Sequence, residues 1–202
     1  MAATLPELAT ERLAVRLARP GMEVALARFL VENFEGHLER WSPPATTAFF
    51  SAAFWRERLA VAIDEFQAGR SARFVLQARE AGPAALDAPI LGTCNYTNIV
   101  RGPFLACHLG YQIARDREGR GLMTEALRAA NAYVFDELRL HRIMAAYRPE
   151  NERSARLLER LGFEREGVAR DYLFIDGAWR DHVLTALANP RFDPAWVEPA
   201  GR

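Results

Sequence analysis

Residues 109–127, LGYQIARDREGRGLMTEAL, change character within a few positions. Leu109, Tyr111 and Ile113 alternate with Gly110 and Gln112 as a strand does. Glycines follow at 119 and 121, and Met123, Ala126, Leu127, Ala130 and Val134 then fall on one side of a helix. A strand that passes through a glycine turn into a helix gathers unpaired backbone N–H groups and the positive end of a helix dipole at one point. That point is a place for an anion such as a phosphate. Glycine lets the backbone itself approach, because a side chain at either position would stand between the amides and the ligand. A plain glycine-assisted entry into a helix has the same local pattern, so the neighbouring segments are needed to separate the two.

Two familiar phosphate loops require residues that this chain lacks. A P-loop needs a lysine after its glycines, and all 26 basic residues here are arginine. A dinucleotide-binding turn needs a third glycine, where Thr124 stands, and a parallel strand before it.

The strands before the turn read as an antiparallel meander instead. They are SARFVLQAR (71–79), PILGTCNYTNIV (89–100) and FLACHLGYQIA (104–114), separated by segments rich in Gly and Pro. In the third, Leu105, Cys107, Leu109, Tyr111 and Ile113 share one face, and Ala106, His108, Gly110 and Gln112 the other. Further out, a strand over 11–19 precedes a helix over 20–34, an irregular loop EGHLERWSPPATT and a second helix over 48–66. Beyond the glycine turn and its helix come a strand at 140–147 and a helix within RPENERSARLLERLGF (148–163), with Asn151 placed to cap it and Gly162 to end it. Asp176-Gly177 then lies between two β-rich runs, a strong hairpin signal. The sum is one mixed α/β domain over 10–189, with about seven mostly antiparallel strands flanked by helices, and a tail over 190–202.

Half of the 202 residues are apolar, enough for a core, and 26 acidic residues balance the 26 basic ones. That balance argues against strong general binding of nucleic acid or anionic membranes and leaves RNA contacts to local patches. No run of about 18 apolar residues occurs, and the N-terminus lacks a basic start followed by an apolar stretch, so a soluble cytoplasmic protein is expected. Cys94 and Cys107 lack Cys-x-x-Cys spacing and the four histidines are scattered, which predicts two buried thiols and no metal.

The order of LGYQIARDREGRGLMTEAL, a strand, RPENERSARLLERLGFEREG and a hairpin resembles the Gcn5-related N-acetyltransferases. The resemblance extends from about Glu11 to Ala188, and in NYTNIVRGPFLACHLGYQI, HRIMAAYRPENERSARLLERLGFEREG and DYLFIDGAWRDHVLTAL it is similar to the RimJ branch, which acetylates the N-terminal alanine of ribosomal protein S5. It implies a twisted sheet with a splayed strand pair, acetyl-CoA as co-substrate, a ribosomal protein N-terminus as acceptor, and possible association with the ribosome. Acetylation of another amine (a different protein terminus, an amino acid or an antibiotic) and a role in ribosome assembly are the alternatives, since fold does not dictate function.

Residue by residue, the resemblance places the pantetheine arm and thioester against the backbone of Tyr111, Gln112 and Ile113, and the pyrophosphate on Glu118, Gly119, Arg120, Gly121, Leu122 and Met123. Asn151 matches an asparagine that touches the pantetheine arm, and an asparagine there also caps a helix. Many relatives carry a proton-donating tyrosine where this chain has Leu158, and Asp116 replaces a frequent Gln or Arg. Ser154 stands where the RimL-like branch has the serine proposed as the acid, although a serine at a helix start also bonds backbone. By location, His37, Trp41, Asn95, Tyr96, Asn98 and Tyr172 are the candidates for acceptor binding, with His37 or a water taking the amine's proton. Glu125 reads as complementing the helix dipole or making a structural bond.

Overall fold

A computed structural model describes residues 5–82 and 84–197. Its sheet contains β1 (Glu7–Ala9), β2 (Leu13–Leu17), β3 (Ala72–Ala78), β4 (Gly92–Val100), β5 (Ala106–Ile113), β6 (Arg142–Tyr147), β7 (Glu164–Ile175) and β8 (Ala178–Ala188). The helices are α1 (Glu23–Asn33), α2 (Ala52–Gln67), α3 (Leu122–Asp136) and α4 (Glu152–Arg160). The eight strands lie in the order β1-β2-β3-β4-β5-β6-β8-β7, one strand more than the seven expected. The addition is the three-residue β1, too short to leave an alternating pattern. All neighbouring pairs are antiparallel except β5 and β6, which α3 joins as a crossover. Asp176 and Gly177 both have positive φ, 51° and 71°, as the tight β7–β8 turn requires.

Side-chain alternation divides two cores. On one face Leu13, Phe74, Cys94, Cys107 and Leu109 pack under Met123, Leu127, Ala130 and Val134 of α3. On the other, Val75 and Ala18 pack under Leu26, Phe29, Leu30 and Leu59 of α1 and α2. Both cysteines are buried free thiols, and burial pushes each up to about 12. Tyr96 shares the α3 face with Cys94, is fully buried, and donates to Asn131 Oδ1 at 2.6 Å. Its expected place at the acceptor is therefore corrected: the strand's alternation turns Asn95 toward the opposite face and Tyr96 into the core. The loop expected over 35–47 contains short helical turns at Phe34–Leu38 and Glu39–Trp41. In the segment expected as a tail, Phe192 packs on His141 with ring centres 4.9 Å apart, and residues 198–202 lie outside the described residues. No helix among the described residues is long and apolar enough to cross a membrane.

Glu125, one turn into α3, accepts from Thr10 Oγ1 (2.5 Å), the Arg12 N–H (2.8 Å) and Arg12 Nε (2.7 Å). It thus ties the helix start to the β1–β2 turn, the structural bond anticipated for it. Burial pushes this carboxyl up, but Thr10 and Arg12 outweigh burial and hold it below its ordinary value of 4.5.

Two stability predictions follow from these bonds. Glu125→Gln lowers stability at pH 7 by about 1–2 kcal/mol in urea titrations. A depressed carboxyl contributes above its unfolded value of 4.5 and loses that contribution as pH falls through the folded one, so the gap between the proteins closes on acidification below 4.5. Tyr96→Phe leaves Asn131 Oδ1 buried without its donor and costs about 1–3 kcal/mol in the same measurement.

Candidate active site

The parallel pair β5–β6 keeps register only from Ala106–Arg142 to Leu109–Ala145. Beyond it, β5 stays with β4 as far as Ile113, while β6 stays with β8 as far as Tyr147. The strands diverge, and the edge of β5 from Gly110 to Ile113 that faces β6 has no strand against it. A cleft of about 1130 Å³ opens there. Glu118 and Met123 line one end, Gly110–Ile113 and Asn151–Ser154 its middle, and Trp41, Asn95 and α2 the other end.

At the first end, Gly119 and Gly121 have φ of 70° and 75°, the left-handed region where a Cβ is strained. Hydrogen bonding within α3 begins with the Glu125 N–H, 3.0 Å from Gly121 O. The N–H groups of Leu122, Met123 and Thr124 are therefore left over by helix geometry and point out of the helix start. A Cβ built on Gly119 meets nothing within 4 Å. Arg120 lies exposed in the turn and Leu122 is buried beneath it. Arg153 of α4 is ion-paired with Glu118 across the same opening.

In the middle, Asn151 caps α4, its Oδ1 accepting from the Ser154 N–H at 3.1 Å. Ser154 Oγ is 2.5 Å from the hydroxyl of Tyr111, so β5 and α4 present a hydroxyl pair at the divergence. Burial pushes the Tyr111 phenol up to about 12, against the opposing pull of its bond to Ser154. Leu158 is buried in the core.

The α1–α2 loop braces both diverging strands. Arg115 N donates to Asn33 Oδ1 (2.9 Å), Gln112 Nε2 to Ser42 Oγ (3.2 Å), and His37 Nε2 to Ile113 O (3.0 Å). Toward β6, Arg148 Nη1 donates to Arg40 O (2.7 Å), and the Arg40 and Arg148 guanidinium carbons lie 4.4 and 5.4 Å from the centre of the Trp41 ring. His37 thus reaches the cleft with Nε2 committed to a carbonyl, and that nitrogen carries a hydrogen and is no base. Trp41 and Asn95 line the cleft. Asn98 does not: it is exposed, with φ of 51°, in the irregularity between Thr97 and Val100. Tyr172 stacks on His182 at 5.6 Å and lines a separate cavity of about 60 Å³. The Tyr111–Ser154 pair and the cleft arginines 73 and 148 were not singled out from sequence, because neither the strand crossing that joins the first nor the convergence of the others is periodic.

The family model of an acetyltransferase (GNAT) domain matches residues 12–164. The chain belongs to the GNAT acetyltransferases. It is 43% identical, over 93% of each chain, to the ribosomal protein uS5-alanine N-acetyltransferase of Escherichia coli (strain K12). The crystal structure of ribosomal-protein-S5-alanine acetyltransferase from Vibrio fischeri superposes with a TM-score of 0.86 at 36% identity, covering 94% of this chain and 100% of that one. RimJ of Mycobacterium smegmatis, in complex with CoA-disulfide, gives 0.79 at 30% identity, with 91% and 86% covered. The protein is an N-acetyltransferase, and GNAT enzymes draw the acetyl group from acetyl-CoA. The site fits such a group: left-over amides at the start of α3, whose Met123 lines the cleft, suit an anion, and the β5 edge that lines the same cleft with no strand against it suits an amide-bearing arm. Among the described residues no group of His, Cys, Asp and Glu is placed to hold a metal.

Proposed function

We propose that this enzyme acetylates the N-terminal alanine of a ribosomal protein of the S5 kind, in the cytoplasm, by direct transfer to the amine. The reading is carried by the 43% identity to the uS5-alanine enzyme over 93% of both chains. It is supported by a cleft of about 1130 Å³ that Trp41 and Asn95 also line.

The co-substrate supplies an activated acetyl group as a thioester. In this proposal the amides of Gly119 to Met123 receive its pyrophosphate, with Glu118 beside them, and the β5 edge at Tyr111, Gln112 and Ile113, which has no strand against it, aligns the arm and polarises the carbonyl oxygen. Asn151 serves as the cap of α4, which fixes Ser154 at the cleft. An α-amino group has a pKa of about 7.7–8.0, against about 10.4 for lysine, so a useful fraction is neutral without a strong base. The acceptor nitrogen loses one proton to water and the departing sulfur gains one. Ser154 Oγ holds the latter proton, with Tyr111 behind it. A phenol is the stronger acid of two hydroxyls, so Tyr111 donates to Ser154 and leaves the serine hydrogen free to point into the cleft. Cys107, buried under α3, takes no part.

Pure protein incubated with acetyl-CoA and peptides beginning Ala, Ser or Met, beside free amines, should release thiol and gain acetyl mass at the terminal amine of Ala-starting peptides. Transfer to a small amine with Ala peptides untouched would overturn the acceptor. Ser154→Ala should lower kcat about 100-fold, with KM for acetyl-CoA within about a factor of two.

A further inference from the structure

The acceptor half of the cleft carries a charge that the acetyl transfer itself does not use. Arg40, Arg58, Arg73 and Arg148 line it, against Glu150 as the carboxylate on the same wall. Toward Glu118 and α4, charges cancel, with Arg153 on Glu118 and Arg156 on Glu152. On the acceptor side the balance is incomplete. Arg148 meets Glu150 and lies 3.9 Å from Asp176, and Arg73 lies 3.3 Å from Glu65, but among the described residues Arg40 and Arg58 have no carboxylate within 4.0 Å. The Nε atoms of both Arg73 and Arg148 are buried without a hydrogen-bond partner. Both guanidinium groups are therefore only partly compensated, and Arg73, whose side chain is 30% exposed, offers its charge to the cleft.

Register sets the distance at which they act. Arg73 pairs with Asn95 and Asn95 with Gly110, so Arg73 and Gly110 share a sheet face two strands apart. That separation is about 10 Å between Cα atoms. An extended chain advances about 3.3–3.6 Å per residue. With its terminal amine at the strand divergence, an acceptor lying across β5, β4 and β3 would bring its third or fourth residue to Arg73.

We infer that this wall is a subsite for a carboxylate at the third or fourth residue of the acceptor, with Arg73 as the principal contact and Arg58 and Arg148 flanking it. The inference rests on the reading of the acceptor as a protein N-terminus. The same wall repels polyamines and basic peptides.

Binding and turnover are to be measured separately on the protein loaded with CoA or acetyl-CoA. The probes are ten-residue peptides beginning Ala-Gly-Gly-Glu and Ala-Gly-Glu-Gly, and the same peptides with Gln for Glu. Calorimetric titration onto the CoA complex should show a Glu peptide binding about tenfold more tightly than its Gln counterpart. The preference should shrink when salt is raised from about 50 to about 300 mM. Arg73→Gln should bring the Glu/Gln ratio to within about twofold of unity. Should that variant fail to fold, the peptide comparison and its salt dependence on the unaltered protein decide the matter. Equal binding of Glu and Gln peptides, or of neither, overturns the subsite. Preferential binding of the Glu peptide without acetylation by acetyl-CoA supports the subsite and counts against the terminal amine as the acetyl acceptor, so the two readings fail separately.

Discussion

β5 and β6 cannot remain a strand pair over their whole lengths, because each is held more extensively by its other neighbour. β5 is zipped to β4 as far as Ile113 and β6 to β8 as far as Tyr147, while their shared ladder ends at Leu109 and Ala145. A twisted sheet forced to satisfy both outer pairings opens at the C-terminal ends of its parallel strands. The cleft, the exposed backbone edge of β5 and the meeting of β5 with the start of α4 all follow from that opening. The crossover α3 must begin beside it, which is why its unpaired amides face the same space.

An open strand pair would be expected to move, and the α1–α2 loop restrains it. Asn33, His37 and Ser42 bond the β5 side, while Arg40 O and the Trp41 ring hold Arg148 at the end of β6. The loop is itself held at its far end by an aromatic cluster in which Phe34, Phe49 and Phe50 meet edge to face. Segments distant in sequence therefore set the width of the cleft together. His37 illustrates the consequence: a residue that location made a candidate for proton transfer has its ring nitrogen on the carbonyl that fixes the strand edge.

Much of this was legible beforehand, for identifiable reasons. Alternation along 104–114 sorted Cys107 and Leu109 from His108 and Gly110 correctly, since a strand under a helix on one face leaves a period of two. The glycine turn at 119 and 121 and the hairpin at Asp176-Gly177 were readable from their residues, and all three glycines have the positive φ that few other residues occupy cheaply. Asn151 was readable as a cap, being followed by a helical pattern. Where location replaced periodicity, the reading failed in part. Tyr96 and Asn95 are adjacent and face opposite ways, and Asn98 falls in a strand irregularity that no residue pattern announced.

The succession of strands and helices, the glycine turn, the buried thiols and the family could be read along the chain, since all of these depend on local periodicity, backbone freedom or ordered motifs. The meeting of Tyr111 with Ser154, the tie from Glu125 to Thr10 and Arg12, and the shared cleft of Arg73 and Arg148 emerge from the folded arrangement alone. Those pairs join residues 43 to 115 positions apart, and their meeting is set by sheet register and strand divergence, quantities that no short stretch of chain contains.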